Sequence, residues 1–121
     1  MLAPKTMAHK PGSRVALKRK VRAHGFAALG DETRLSLVAK LCEGRLYSIS
    51  QLTEGSRQTR QSITKHLRVL ANAGIVRGVR RGRENLFELV PHPIDELKEY
   101  LDLVSAQWDQ ALSRLKSLVE D

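Results

Sequence analysis

A chain of 121 residues is enough for one compact domain, and with aromatics at only 4% its core must come mainly from Leu, Val, Ile and Ala, which favours packed helices over a sheet sandwich. No apolar run nears the ~20 residues of a membrane span and no signal-peptide pattern follows the basic start, so a membrane partner is not expected. One cysteine, Cys42, rules out an internal disulfide and suits a cytosolic location, while 21 Lys and Arg against 13 Asp and Glu leave a net +8 that needs a partner.

Residues 1–12 hold two prolines and a Pro-Gly pair with few large apolar side chains, the composition of a flexible basic tail. Ser13 is a candidate N-cap for a short helix to His24 that Gly25 interrupts, after which Phe26, Ala28 and Leu29 begin the packed region. Asp31 caps the next helix, with Leu35, Val38, Leu41 and Cys42 spaced to share an apolar face and Gly44 closing it. Cys42 is therefore expected to be a small buried hydrophobe; a redox switch is the weaker reading, because no second cysteine can resolve it. Ser48 with Gln51 forms a capping box for a short helix ending at Gly55. Thr59 then caps a helix whose stripe of Ile63, Leu67, Leu70 and Ala71 runs to Gly74.

Two capped helices around a Gly-containing turn make a helix-turn-helix over about 48–73. Ile75–Arg80 and Asn85–Val90, rich in β-branched and apolar residues about a turn at Arg81-Gly82-Arg83, make a hairpin, or wing, over about 75–90. A last helix over about 93–119 opens at Pro93. Its apolar residues Leu97, Leu101, Val104, Trp108, Ala111, Leu115 and Leu118 follow alternating four- and three-residue steps, a heptad seam expected to join two subunits. The expected fold is mainly α with a small β-hairpin: a winged helix-turn-helix over residues 13–121, ending in a long dimerisation helix.

The charge is unevenly divided. Met1–Gly25 carries +7, Phe26–Ser56 −1, Arg57–Arg83 +8 without a single acid, and Glu84–Asp121 −6. An acid-free stretch in the middle of a folding domain points to a polyanion. Turning Ile63, Leu67 and Leu70 inward puts Arg60, Gln61, Thr64, Lys65 and Arg68 outward. Arg and Lys can donate to guanine O6 and N7, Gln can pair with adenine, and Thr can touch a phosphate or a thymine methyl. Arg57, Gln58 and Thr59 stand at the helix start, where backbone N–H groups favour a phosphate. Arg80, Arg81 and Arg83 offer guanidinium groups at the wing tip for phosphates or a narrow minor groove.

Phe-Ala-Ala-Leu-Gly-Asp-Glu-Thr-Arg-Leu at 26–35, Thr-Lys-His-Leu-Arg-Val-Leu from Thr64 with Ala-Gly-Ile-Val ending at Val76, and Arg-Arg-Gly-Arg-Glu at 80–84 resemble the ArsR/SmtB family of bacterial transcription regulators. The resemblance covers about residues 21–121 and implies a dimeric winged-helix repressor that reads double-stranded DNA with the helix holding Thr64 and His66. Thr64 stands where that family usually has Ser; His66 matches its His, for which packing beneath the helix and direct DNA contact stay open. Metal-sensing members carry a Cys-x-Cys pair before the recognition helix or Asp and His pairs on the last helix. Here Ser48–Gly55 has no cysteine, and no histidine follows His92. Carboxylates alone make a poor zinc or arsenic site, so neither metal nor cofactor is expected, and any effector goes unidentified.

The expected function is thus sequence-specific, non-enzymatic transcriptional regulation by a homodimer on an imperfect palindrome, without metal response. A sequence-independent nucleic-acid-binding or architectural protein is the alternative, disfavoured by the mixed surface of Gln61, Thr64 and Lys65.

Overall fold

A computed structural model describes residues 11–120. The chain forms α1 (Pro11–Leu29), α2 (Glu32–Leu41), β1 (Tyr47–Ser48), α3 (Ile49–Thr53), α4 (Arg60–Asn72), β2 (Val76–Arg81), β3 (Glu84–Leu89) and α5 (Pro91–Glu120). It is a winged helix-turn-helix: α3 and α4 are the helix pair, and β2 and β3 are the wing. The first ten residues of the expected tail lie outside the described residues, while Pro11 and Gly12 belong to α1.

The expected break at Gly25 does not occur, and α1 runs through it to Leu29. Gly25 is buried, and a Cβ there would lie 3.1 Å from Leu97 Cδ1 on α5. A mid-helix glycine costs about 0.5–1 kcal/mol in propensity. Here it lets two helices approach, and packing outweighs the local preference.

Asp31 does cap α2, its carboxylate accepting the Arg34 N–H at 3.1 Å. The buried face, however, is Leu37 and Leu41; Leu35 is 54% exposed and Val38 half-buried. Cys42 is exposed rather than buried. It is the C-cap and keeps helical backbone, φ −65° and ψ −13°, so it follows Leu35 and Val38 onto the side about 100° round from Leu41, which the core leaves open.

The capping box of Ser48 and Gln51 is present, with bonds of 2.8 and 3.1 Å, and Thr59 Oγ1 accepts the Ser62 N–H at 3.0 Å to open α4. Ile63, Leu67 and Leu70 are buried, but Ala71 is exposed. At about 100° per residue Ala71 falls about 80° round from Ile63, beyond the edge of a stripe centred on the other three.

The wing gains a third strand, because β1 pairs antiparallel with β3 through Tyr47 opposite Phe87 and Ser48 opposite Leu86. Two residues are too few to display strand alternation in a sequence. One core joins these layers: Ala28, Leu37, Leu41, Tyr47, Leu52, Ile63, Leu67, Leu70, Ile75 and Val76. Buried Tyr47 remains satisfied by donating its hydroxyl to Glu43.

α5 begins at Pro91, two residues earlier than expected. Both Pro91 and Pro93 fit in its first turn, where backbone N–H groups have no helical partner to lose. Its 30 residues span about 45 Å at 1.5 Å each, yet only Leu97 is buried.

Candidate nucleic-acid interface

α3 and α4 are joined by a turn in which Gly55 takes φ +76°, a conformation that strains other residues. The start of α4 is fastened by its own side chains. Gln58 accepts the Ser62 hydroxyl at 2.6 Å and donates its backbone N–H to Ser56 at 2.8 Å, beside the Thr59 cap. Gln58 and Thr59 therefore build the helix start, and Thr64 donates its hydroxyl to Arg60 O at 2.8 Å, leaving lone pairs and a methyl for other contacts. Arg57, Arg60, Gln61, Lys65 and Arg68 are all exposed. His66 is different: it is half-buried, with Nδ1 turned toward α2 at 3.2 Å from Arg34 and 3.7 Å from Asp31.

The strand register sets the wing tip. Arg81 pairs with Glu84 and Arg80 with Asn85, so the turn is the two residues Gly82-Arg83, and Arg81 belongs to β2 instead of the turn. Gly82 has φ +59° while no non-Gly residue has positive φ, the pattern of a type II′ hairpin turn. Arg77, opposite Glu88, forms an ion pair at 2.5 Å. Of the eight cations between Arg57 and Arg83 this one is neutralised locally. Among the described residues no carboxylate lies within 4.0 Å of Arg80, Arg81 or Arg83, all exposed.

Helix and wing meet in an open cleft of about 400 Å³ lined by Arg60 from the first turn of α4 and Arg83 from the wing tip, with Ser48, Ser50, Glu84 and Asn85. Two guanidinium groups from segments distant in sequence thus share one surface, and Glu84 is its acid.

Asp31 has its carboxyl held below the ordinary value of 3.8, chiefly by the Arg34 N–H it accepts and further by the Arg34 charge; desolvation opposes them. Arg34 carries no sign of its contact with His66 in the sequence. It sits in the segment of mixed charge, and only the fold brings it to α4.

The heptad seam divides. Leu97 packs inside the protomer, close to Gly25, and Ala111 is half-buried. Leu101, Val104, Trp108, Leu115 and Leu118 are exposed, from 38% at Val104 to 76% at Leu118. Val15, Leu17 and Val21 on α1 are exposed as well. Among the described residues no three His, Cys, Asp or Glu side chains gather as a metal site, and no helix is long and apolar enough to cross a membrane.

Comparison with known proteins places this architecture. Residues 31–77 match the family described as bacterial regulatory protein, arsR family. The uncharacterized HTH-type transcriptional regulator MJ1325 of Methanocaldococcus jannaschii is 31% identical over 87 residues, 72% of this chain and 94% of that protein. The structure of an ArsR-like transcriptional regulator from Rhodococcus sp. RHA1 aligns with TM-score 0.71 at 32% identity, covering 83% of this chain and 93% of that one. The homodimeric winged helix-turn-helix DNA-binding domain of Mb0332 from Mycobacterium bovis shares the fold, with TM-score 0.62 at 18% identity and coverage of 88% and 94%. The α3–α4 pair, the wing after it and these relatives agree: the chain belongs to the ArsR family of DNA-binding, winged helix-turn-helix transcriptional regulators.

Proposed function

We propose that the protein is a homodimeric repressor that reads an imperfect palindrome with α4 and grips the backbone with the wing. The observation carrying this reading is the cleft that joins Arg60 and Arg83, with Gln61, Lys65 and Arg68 exposed on α4, Arg57 in the turn before it and Arg80 and Arg81 exposed on β2. Gln61, Lys65 and Arg60 contact base edges, Arg57, Gln58 and Thr59 meet a phosphate at the helix start, and Thr64 and Arg68 complete the surface. Arg80, Arg81 and Arg83 hold phosphates or the minor groove. Pairing through the exposed parts of α5 and α1 is supported by their unpartnered apolar side chains and by the fold shared with a domain described as homodimeric. Twofold symmetry then sets half-site centres ~10 bp apart. The repressor sense follows the family resemblance, and a last helix with scattered carboxylates and no histidine after His92 supports a regulator that does not respond to metal.

Selection of duplexes from a random pool by the full chain, followed by competition with random duplex, tests the reading. A recovered palindrome bound at least a hundredfold more tightly than random DNA supports it. Equal affinities overturn it in favour of a sequence-independent DNA-binding protein.

A further inference from the structure

α1 ends at Leu29, and the Gly30 N–H turns back to Ala27 O at 3.1 Å. The Ala28 carbonyl is one of those a helix end cannot satisfy internally. Arg34, in the first turn of α2, satisfies it, with Nε donating to Ala28 O at 2.6 Å. The same guanidinium donates from Nη1 to His66 Nδ1 on α4 at 3.2 Å. Arginine has no acceptor, so Nδ1 carries the lone pair and the neutral ring has its proton on Nε2. Asp31 holds Arg34 in place by accepting its backbone N–H at 3.1 Å. One planar fork therefore ties the end of α1 to the middle of α4, a geometry that lysine could not reproduce.

We propose that Arg34 and His66 are a positioning pair that fixes the seating of α4 on α1. The proposal rests on α4 being the recognition helix, and it gives His66 a role made through Arg34 instead of through DNA. Losing the pair lets α4 shift against α1, so the fit to base edges suffers while the phosphate-gripping cations stay in place. The pair acts on specificity, and it places the reading helix under the influence of α1, which carries the exposed Val15, Leu17 and Val21.

Two measurements on the full chain separate the pair from its consequence. The first needs no DNA: long-range ¹⁵N–¹H correlation of the histidine rings should give the Nε2–H tautomer for His66, with a shift that moves in Arg34→Met. An Nδ1–H tautomer overturns the pair. The second uses the duplex that the wild type selects from a random pool, against random duplex of equal length. Arg34→Met and His66→Ala should each lose about tenfold on the selected duplex, with little change on random DNA or in salt dependence. The double variant should be no weaker than the weaker single one, because both remove the same contact. His66→Asn, whose Oδ1 can replace Nδ1 as acceptor, should recover most of the affinity. Multiplying losses, or His66→Asn as weak as His66→Ala, overturns the positioning role. If Arg34→Met melts early, the contrast between the two His66 variants still decides. A wild type with equal affinity for both duplexes overturns the reading of α4, and does so independently of the tautomer result.

Discussion

Replacing Arg81 and Arg83 together with alanine removes two exposed cations at the wing tip that have no acidic neighbour within 4.0 Å among the described residues. Each phosphate neutralised by protein contributes about 0.9 to the slope of log K against log salt. Two cations per protomer, doubled in the proposed dimer, should therefore lower that slope by up to ~3.6. A fourfold rise in salt is ~0.6 log units, so the wild type should lose about two more decades of affinity than the variant between 50 and 200 mM. Arg77 is the internal control. Its guanidinium already holds Glu88 at 2.5 Å and is not free to neutralise a phosphate, so Arg77→Ala should leave the slope nearly unchanged. Fluorescence anisotropy of a labelled selected duplex over a salt series measures both. A double variant with the wild-type slope, or Arg77→Ala lowering it as far as the wing-tip pair does, refutes the assignment of the wing as a phosphate grip.

Trp108 is 64% exposed in the protomer, so Trp108→Glu should convert the protein to monomers in sedimentation at micromolar concentration and abolish tight operator binding; an unchanged dimer moves the interface elsewhere. Gly25→Val should cost about 1–3 kcal/mol in urea melts by overpacking, since even a Cβ lies 3.1 Å from Leu97 Cδ1. Thr59→Ala should cost about 1 kcal/mol by removing the α4 cap seen at 3.0 Å, whereas Thr59→Ser should cost much less. The Asp31 carboxyl is depressed in the folded protein, so its charge stabilises fully above the unfolded value of 3.8 and is lost as pH falls through the lower folded value. Asp31→Asn keeps a capping oxygen without that charge. The stability gap between the two proteins should be present above about pH 5 and close below 3.8; a gap that persists there would show that charge is not its cause.

The parts of the fold legible in the sequence are those governed by groups three or four residues apart. Asp31, Ser48 with Gln51, and Thr59 each cap through a hydrogen bond to the third residue on, so residue order alone specifies them. Ile63, Leu67 and Leu70 likewise find the core by period. What escaped depends on partners far along the chain. Gly25 looks like a helix breaker until Leu97 lies against it, and β1 exists only because β3 offers an edge. Leu35 and Cys42 have the spacing of a buried face, but α2 spends its packing on Leu37 and Leu41. At the site, the exposed cations of α4 and the wing were readable from charge and periodicity. The bond between Arg34 and His66 spans 32 residues and has no local sign.

α5 is anchored to its own protomer at one end only. Leu97 is buried, the Tyr100 ring lies 6.0 Å from that of Phe26, and Arg22 stands 4.9 Å above it. The following twenty residues, about 30 Å of helix, project with their apolar side chains uncovered. With the proposed dimer, that projecting arm finds a packing partner only in a second copy, so a lone protomer leaves it uncovered and is half a reader. Occupancy of a two-site operator then rises more steeply than linearly with the amount of protein. As the proposed dimer, such a regulator takes its own abundance as an input: dilution lowers its occupancy of DNA and modest synthesis restores it, before any small molecule is involved.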